Sequence, residues 1–414
     1  MVLGVLTARY LGPESRGLLY LIIQVISIGS TVLSCGLGST YQFYLSSGQF
    51  NRSEILSHAL VQLFVIALIL SLILVIGHPL YRMMGLQIIT ERFSYLVAVG
   101  ILFNILFIFA SSLLMTNKKG VYLLTLLNIG GSLANTVIFV LCALLITVDI
   151  EIALVAYFFG IIIRMMPGAY MAVSGASIKI SLDWITMSKK LFKYGAASFI
   201  FNIAVVMVFR VDMFIVNKLV GLEELGKYAV AGTFAEMVLI LPSSIGTALF
   251  AHFPILQSCD QVELLKQTCR SVIVITATIC IMLAIVSPWF VTILVGEQYV
   301  GAIEPLRWML PGLVAMAAAY VFANYFAGTG HPILSAAVFG VGLIIKIGLN
   351  YLFVPSFGII GAALASSCTY LAIALTFYLI LRKMQRVTAA SLFLPTFNDV
   401  YLIVSRAKIF IIRK

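Results

Sequence analysis

The sequence predicts an all-α polytopic membrane protein, on three observations. Of its 414 residues, 62% are hydrophobic and only 10% are charged, whereas soluble domains are nearer a quarter charged. The mean hydropathy is +1.13. Apolar runs long enough to cross a hydrocarbon core, about 20 residues for roughly 30 Å, follow one another almost without a break. Such runs must be helices, because in lipid each backbone N–H and C=O has to be satisfied within its own segment.

Charged residues, glycines and prolines cut the chain into twelve predicted spans. A short first run at 1–10 is followed by 16–44, 54–78, 92–116, 120–147 and 152–173. The second set is 191–217, 225–255, 266–295, 303–327, 332–354 and 358–381. The first run is about half the length a span needs, so the first helix reads as truncated. This divides the chain into an N-terminal six-helix lobe (1–173), a cytoplasmic linker (174–190), a C-terminal six-helix lobe (191–381) and a basic cytoplasmic tail (382–414). Counting Lys and Arg in alternate loops places sixteen on one side and six on the other, which puts both termini in the cytoplasm. Trp184, Trp289 and Trp308 fall near span ends, where interfacial aromatics belong. The net charge of +11 is therefore a topology signal, and no soluble basic surface suggests nucleic acid. The tail at 399–414 alternates apolar and basic residues, as either an inner-leaflet segment or a solvated end.

Other signals are sparse. Met1–Ala8 is too short for a signal-peptide core and lacks a basic start. The six cysteines form no C-x-x-C pair and read as small core residues. His58, His78, His252 and His331 are too scattered for a metal cluster, and neither metal nor cofactor is expected.

An internal repeat is legible at an offset of 209. Gly12 aligns with Gly221, Glu14 with Glu223, Gly17 with Gly226, Glu54 with Glu263 and Pro79 with Pro288. Six helices per repeat is an even number, so both halves enter the membrane from the same side. They are expected to relate by a pseudo-twofold axis along the membrane normal, as in parallel-repeat transporters. Residues 191–208 would align with positions before Met1, so about 20 residues are expected to be missing in front of the first span.

Three stretches carry a resemblance: "TARYLGPESRGLLYLI" followed by "LGST" at 37–40, "RVDMFIVNKLVGLEELGKYAVAGTF" at 210–234, and "NYLFVPSFGIIGAALASSCTYL" at 350–371. Over nearly the whole chain the sequence resembles the O-antigen-type polysaccharide flippases of the multidrug/oligosaccharidyl-lipid/polysaccharide exporter superfamily, with its MATE-like fold. The resemblance implies two six-helix lobes around a central cleft. It also implies that the cargo is an undecaprenyl-diphosphate-linked oligosaccharide, moved from the inner to the outer leaflet of a bacterial or archaeal plasma membrane. O-antigen, capsule and exopolysaccharide repeat units are all cargoes of this kind. The truncated first helix departs from the family and leaves its cleft residues unassigned.

Ionisable groups inside spans are expensive and point to function. Here they are Arg164, Arg210, Asp212, Glu236 and Lys346, with Arg307 near the outer end of the tenth span. The excess of cations favours anionic cargo, because a diphosphate needs Arg or Lys. Arg164, Arg210, Lys346 and Arg307 are thus the candidate substrate-binding cations. Arg210 and Asp212 are two residues apart and point about 200° from one another on a helix, so each needs its own partner. Arg210 either pairs with Glu236, at a depth differing by about 6 Å, or faces the cleft; Asp212 meets Lys227 or water. Asp212 and Glu236 are candidates for ion coupling or for charge pairing. Arg9 and Lys218 occupy equivalent places at the outer mouth, as interfacial anchors or cargo contacts. The tracts "NIGGSLAN" at 128–135 and "GAALASS" at 361–367 suit close helix packing, and Pro167, Pro242, Pro254 and Pro311 mark bends.

No G-x-x-x-x-G-K-[ST] occurs, so transport has to draw on an H+ or Na+ gradient, the membrane potential or consumption of product. An ion-coupled exporter of small cations is the alternative for this architecture. A membrane-embedded polymerase or glycosyltransferase would need an outer loop gathering an acid/base pair, which is missing, so the chain reads as a transporter and not an enzyme. Its expected partners are the lipid-linked oligosaccharide, membrane lipid, a coupling ion and other polysaccharide assembly proteins.

Overall fold

A computed structural model describes residues 2–76, 93–115, 118–145, 149–174, 184–252 and 258–393. Pro79, Pro254, His78, the loop cations Arg82, Arg92 and Lys179, and the tail at 399–414 lie outside the described residues. The described chain is helical: α1 (Val2–Leu33), α2 (Leu37–Ser46), α3 (Arg52–Ile76), α4 (Ser94–Leu114), α5 (Lys118–Leu145), α6 (Ile150–Val173), α7 (Trp184–Leu219), α8 (Leu222–His252), α9 (Ser258–Leu294), a 3-10 segment (Glu297–Ala302), α10 (Ile303–Gly328), α11 (Pro332–Gln385) and α12 (Ala389–Phe393). Among the described residues, ten helices are long and apolar enough to cross a membrane.

The twelve runs read from the sequence fall on these ten helices because two pairs are continuous. In α1 the break is Gly12, non-helical at φ 76° and ψ 168°. In α11 it is Gly358, at φ 56° and ψ −135°, a backbone region left almost entirely to glycine. The 54 residues of α11 would run about 80 Å if straight, far beyond a bilayer. Instead the chain doubles back. A Cβ on Gly361 would strike the Phe353 carbonyl, and one on Gly342 would strike Ile373, so the arms before and after Gly358 pack antiparallel. The second run also ends earlier than expected, at Leu33, where Cys35 (φ 47°) and Gly36 (φ 69°) turn the chain into α2. In the other direction, α7 begins at Trp184, inside the stretch read as linker.

The offset of 209 recurs in these elements. Gly12 and its counterpart Gly221 both take positive φ, 76° and 106°. Ser94 opens α4 and its counterpart Ile303 opens α10. The two glycine turns also touch reciprocally: a Cβ on Gly17 would strike the Leu222 carbonyl, and one on Gly226 would strike the Pro13 carbonyl. The offset maps one contact onto the other, Gly17 onto Gly226 and Pro13 onto Leu222. Bare glycine is what allows the two backbones this approach.

The chain forms two compact units, Met1–Val206 with Gly221–Gly226, and Met207–Val220 with Lys227–Lys414. In the first, α4 packs on α1, α2, α3 and α6, and α5 lies along α6. In the second, α10 packs between α9 and α11 around the buried rings of Phe322, Phe326, Phe339 and Phe377. The short α12 closes this cluster: Leu392 is buried and Phe393 meets Phe322 and Tyr378. Arg270 of α9 donates to the Ser391 carbonyl at 2.9 Å, holding that end of the chain.

Candidate functional site

In the second unit, two charge pairs are built on α7 residues two positions apart, Arg210 and Asp212. Arg210 of α7 and Glu236 of α8 form a two-pronged salt bridge, Nη1 to Oε1 and Nη2 to Oε2, the latter at 3.2 Å. The two helices run antiparallel from the Gly221 turn, and an arginine spans their small difference in depth. This is the pairing alternative read from the sequence.

Asp212 finds a partner that the sequence did not indicate. Rather than Lys227, it pairs through Oδ2 with Lys346 of α11 at 2.8 Å. The same oxygen accepts from Tyr228 Oη at 2.5 Å and Ser366 Oγ at 3.1 Å, and Oδ1 accepts from the Met213 N–H at 3.1 Å. Lys346 Nζ also donates to the Val208 carbonyl at 2.6 Å and lies 5.5 Å from the Tyr370 ring centre. Asp212 is 4% exposed and Lys346 not at all. Burial at this depth is tolerable because each ion has its counter-charge and its remaining valences are filled. Lys346, expected as a cleft cation, is committed to Asp212 with no exposed surface in this conformation. Tyr228, Ser366 and Tyr370 were not legible as site residues; Ser366 stood in a tract read only as packing.

Arg164 lies in the other unit, on α6. Its Nε donates to the Gly160 carbonyl of its own helix at 3.3 Å, and its guanidinium carbon is 5.5 Å from the Phe107 ring centre. Among the described residues no carboxylate pairs with it.

Arg307, expected as a cargo-binding cation, is exposed and donates through Nε to the Ala284 carbonyl of α9 at 3.2 Å. The reason is local. Pro288 has no N–H to return to Ala284, so that carbonyl lacks its helical partner, and Arg307 and Ser287 supply donors instead. Arg9 and Lys218 are both exposed, Lys218 in the last turn of α7, where a cation suits the helix dipole. Among the described residues, no three His, Cys, Asp or Glu side chains are placed to share a metal ion.

Comparison with known proteins fits this frame. A family model described as polysaccharide biosynthesis protein matches residues 1–258, and one described as MatE matches residues 197–352. A Shigella flexneri protein assigned as an O-antigen transporter is 23% identical over 58% of this chain and 59% of its own length. An uncharacterized membrane protein of Methanocaldococcus jannaschii is 23% identical over 52% of this chain and 44% of its own. The chain thus spans about half the length of the curated relatives it matches. Among solved structures, the lipid II flippase MurJ in an inward closed conformation aligns with a TM-score of 0.78, at 15% identity, over 92% of this chain and 84% of that one. An inward-facing MATE transporter of the MOP superfamily aligns at 0.73, also 15% identical, over 94% and 95%. At such identities these neighbours speak for the fold.

Proposed function

Because the chain belongs to the polysaccharide biosynthesis protein family, within the MOP superfamily of transporters, we propose that it is a flippase for an undecaprenyl-diphosphate-linked oligosaccharide. It carries the repeat unit of an O-antigen, capsule or exopolysaccharide from the inner to the outer leaflet of the plasma membrane, with both termini in the cytoplasm. The family and its neighbours are transporters rather than enzymes, and the chain is a multi-pass membrane protein of that kind.

One observation carries the choice of an anionic cargo. Of the five ionisable groups singled out deep in the predicted spans, Arg210 is matched to Glu236 and Lys346 to Asp212, which leaves Arg164 as the cation over. A path for cations would be expected to leave a carboxylate over. Coupling to H+ or Na+ would act through the same pairs, since neutralising Asp212 or Glu236 releases Lys346 or Arg210. Transport unchanged in an Asp212→Asn/Glu236→Gln double variant removes that coupling role.

The MatE match over residues 197–352 favours a second reading, export of small organic cations by the same fold. Deleting the gene and extracting membrane lipids separates the two. A lipid-linked oligosaccharide accumulating on the cytoplasmic side supports the flippase. Unchanged lipid-linked sugar with heightened sensitivity to cationic dyes supports the exporter.

A further inference from the structure

The α5–α6 pair holds its arginine differently from the charge pairs around Asp212. Each helix offers one notch and one knob four residues apart, Gly131 with Asn135 on α5 and Gly160 with Arg164 on α6. A Cβ on Gly131 would strike the Arg164 stem, and one on Gly160 would strike the Asn135 amide. The helices therefore interlock, and the Arg164 stem is fixed before its guanidinium begins. At the head, Nε donates to the Gly160 carbonyl and the guanidinium carbon lies 5.5 Å from the Phe107 ring centre. Nη1 and Nη2 remain, with no hydrogen-bond partner among the described residues. The exposed apolar stripe of α6, formed by Val155, Phe159, Met166 and Tyr170, lies away from Arg164, because these positions sit about 120–180° from it around the helix. A guanidinium held by its stem, away from the lipid-facing stripe and without a carboxylate among the described residues, is preorganised for two oxygens of one anion.

We propose that Arg164 is the phosphate-contacting residue of this protein, its Nη1–Nη2 fork taking two oxygens of a lipid phosphate or diphosphate, with Gly131 and Asn135 as positioning residues. This rests on the flippase reading and deepens it: Arg210 and Lys346 brace the helices of the second unit, and Arg164 meets the headgroup. An isoprenyl diphosphate and an anionic phospholipid present the same oxygens.

The test is calorimetric binding of farnesyl diphosphate to the full chain in phosphatidylcholine nanodiscs. Arg164→Gln is expected to weaken binding at least tenfold, the loss of a charge-assisted two-pronged contact. Gly131→Leu keeps every charge but displaces the stem, and is expected to weaken binding similarly. Arg164→Lys, which keeps the charge without the fork, falls between and decides the matter if Gly131→Leu does not fold. Lys119→Gln, an exposed cation at the start of α5, is expected to bind as the wild type does. Absence of binding by the wild type, binding by Arg164→Gln within twofold of wild type, or an equal loss in Lys119→Gln overturns the proposal. Phosphatidylglycerol that displaces the probe at equal concentration supports the phosphate contact with membrane lipid as its source; failure to displace supports the diphosphate. Glycan export is read separately in cells. A wild type that binds the probe but restores no glycan refutes the flippase and leaves the arginine site standing. Export restored by the wild type, with normal probe binding by Arg164→Gln, does the reverse.

Discussion

Removing one member of the Asp212–Lys346 pair leaves the other ion buried, and the two removals differ in what remains. In Lys346→Met, Asp212 keeps Tyr228, Ser366 and the Met213 N–H, three donors that spread its charge. In Asp212→Asn, Lys346 keeps the Val208 carbonyl and the face of Tyr370, with a neutral amide oxygen in place of its counter-charge. Breaking a buried pair costs about 3–5 kcal/mol. Lys346→Met is therefore expected near about 3 kcal/mol and Asp212→Asn nearer about 5 kcal/mol. The double variant buries no lone charge and is expected at about 3 kcal/mol, well below the sum. Equilibrium unfolding in mixed micelles, followed by circular dichroism, measures all three. Single variants within about 1 kcal/mol of wild type and an additive double would refute the reasoning.

Three further outcomes follow from the packing. Gly17→Val and Gly226→Val each drive a side chain into a backbone carbonyl of the other turn, so both are expected to cut the yield of monodisperse protein, and by similar amounts because the contact is reciprocal. Arg307→Gln removes a donor that the Ala284 carbonyl needs only because of Pro288. It is expected to lower the unfolding midpoint slightly, by roughly 0.5 kcal/mol, and to have no effect in a Pro288→Ala background, where the backbone N–H returns. Arg270→Gln releases the Ser391 carbonyl, so α12 is expected to loosen and trypsin to cut at Arg386 about tenfold faster, the equivalent of one hydrogen bond to a charged group.

The fold class was legible because hydropathy is local, and the repeat because glycine marks the same turn twice. The Gly12 and Gly221 pair shows this well: only a positive φ explains glycine at both places. Arg210–Glu236 was within reach because both residues hang from one short turn, and the helical rise fixes their depths. Asp212–Lys346 was not. Lys346 reaches a carbonyl 138 residues away, and nothing in the spacing of α11 says which face meets α7. The tract around Gly131 was read as a packing surface, but its partner Gly160 was missed, since a lone glycine in an apolar run says nothing about what fills it. The Arg307 contact was hidden for a related reason. Its target is a carbonyl freed by a proline on another helix, and freed carbonyls are invisible in sequence.

The flippase claim meets its most direct test in liposomes containing the purified protein and an undecaprenyl-diphosphate-linked oligosaccharide, with the sugar probed from outside by a soluble glycosidase. The expected result is that nearly all the lipid-linked sugar becomes accessible within minutes, while protein-free liposomes keep about half of it protected. Half remaining protected in both, together with uptake of an organic cation by the protein-containing liposomes, would contradict it.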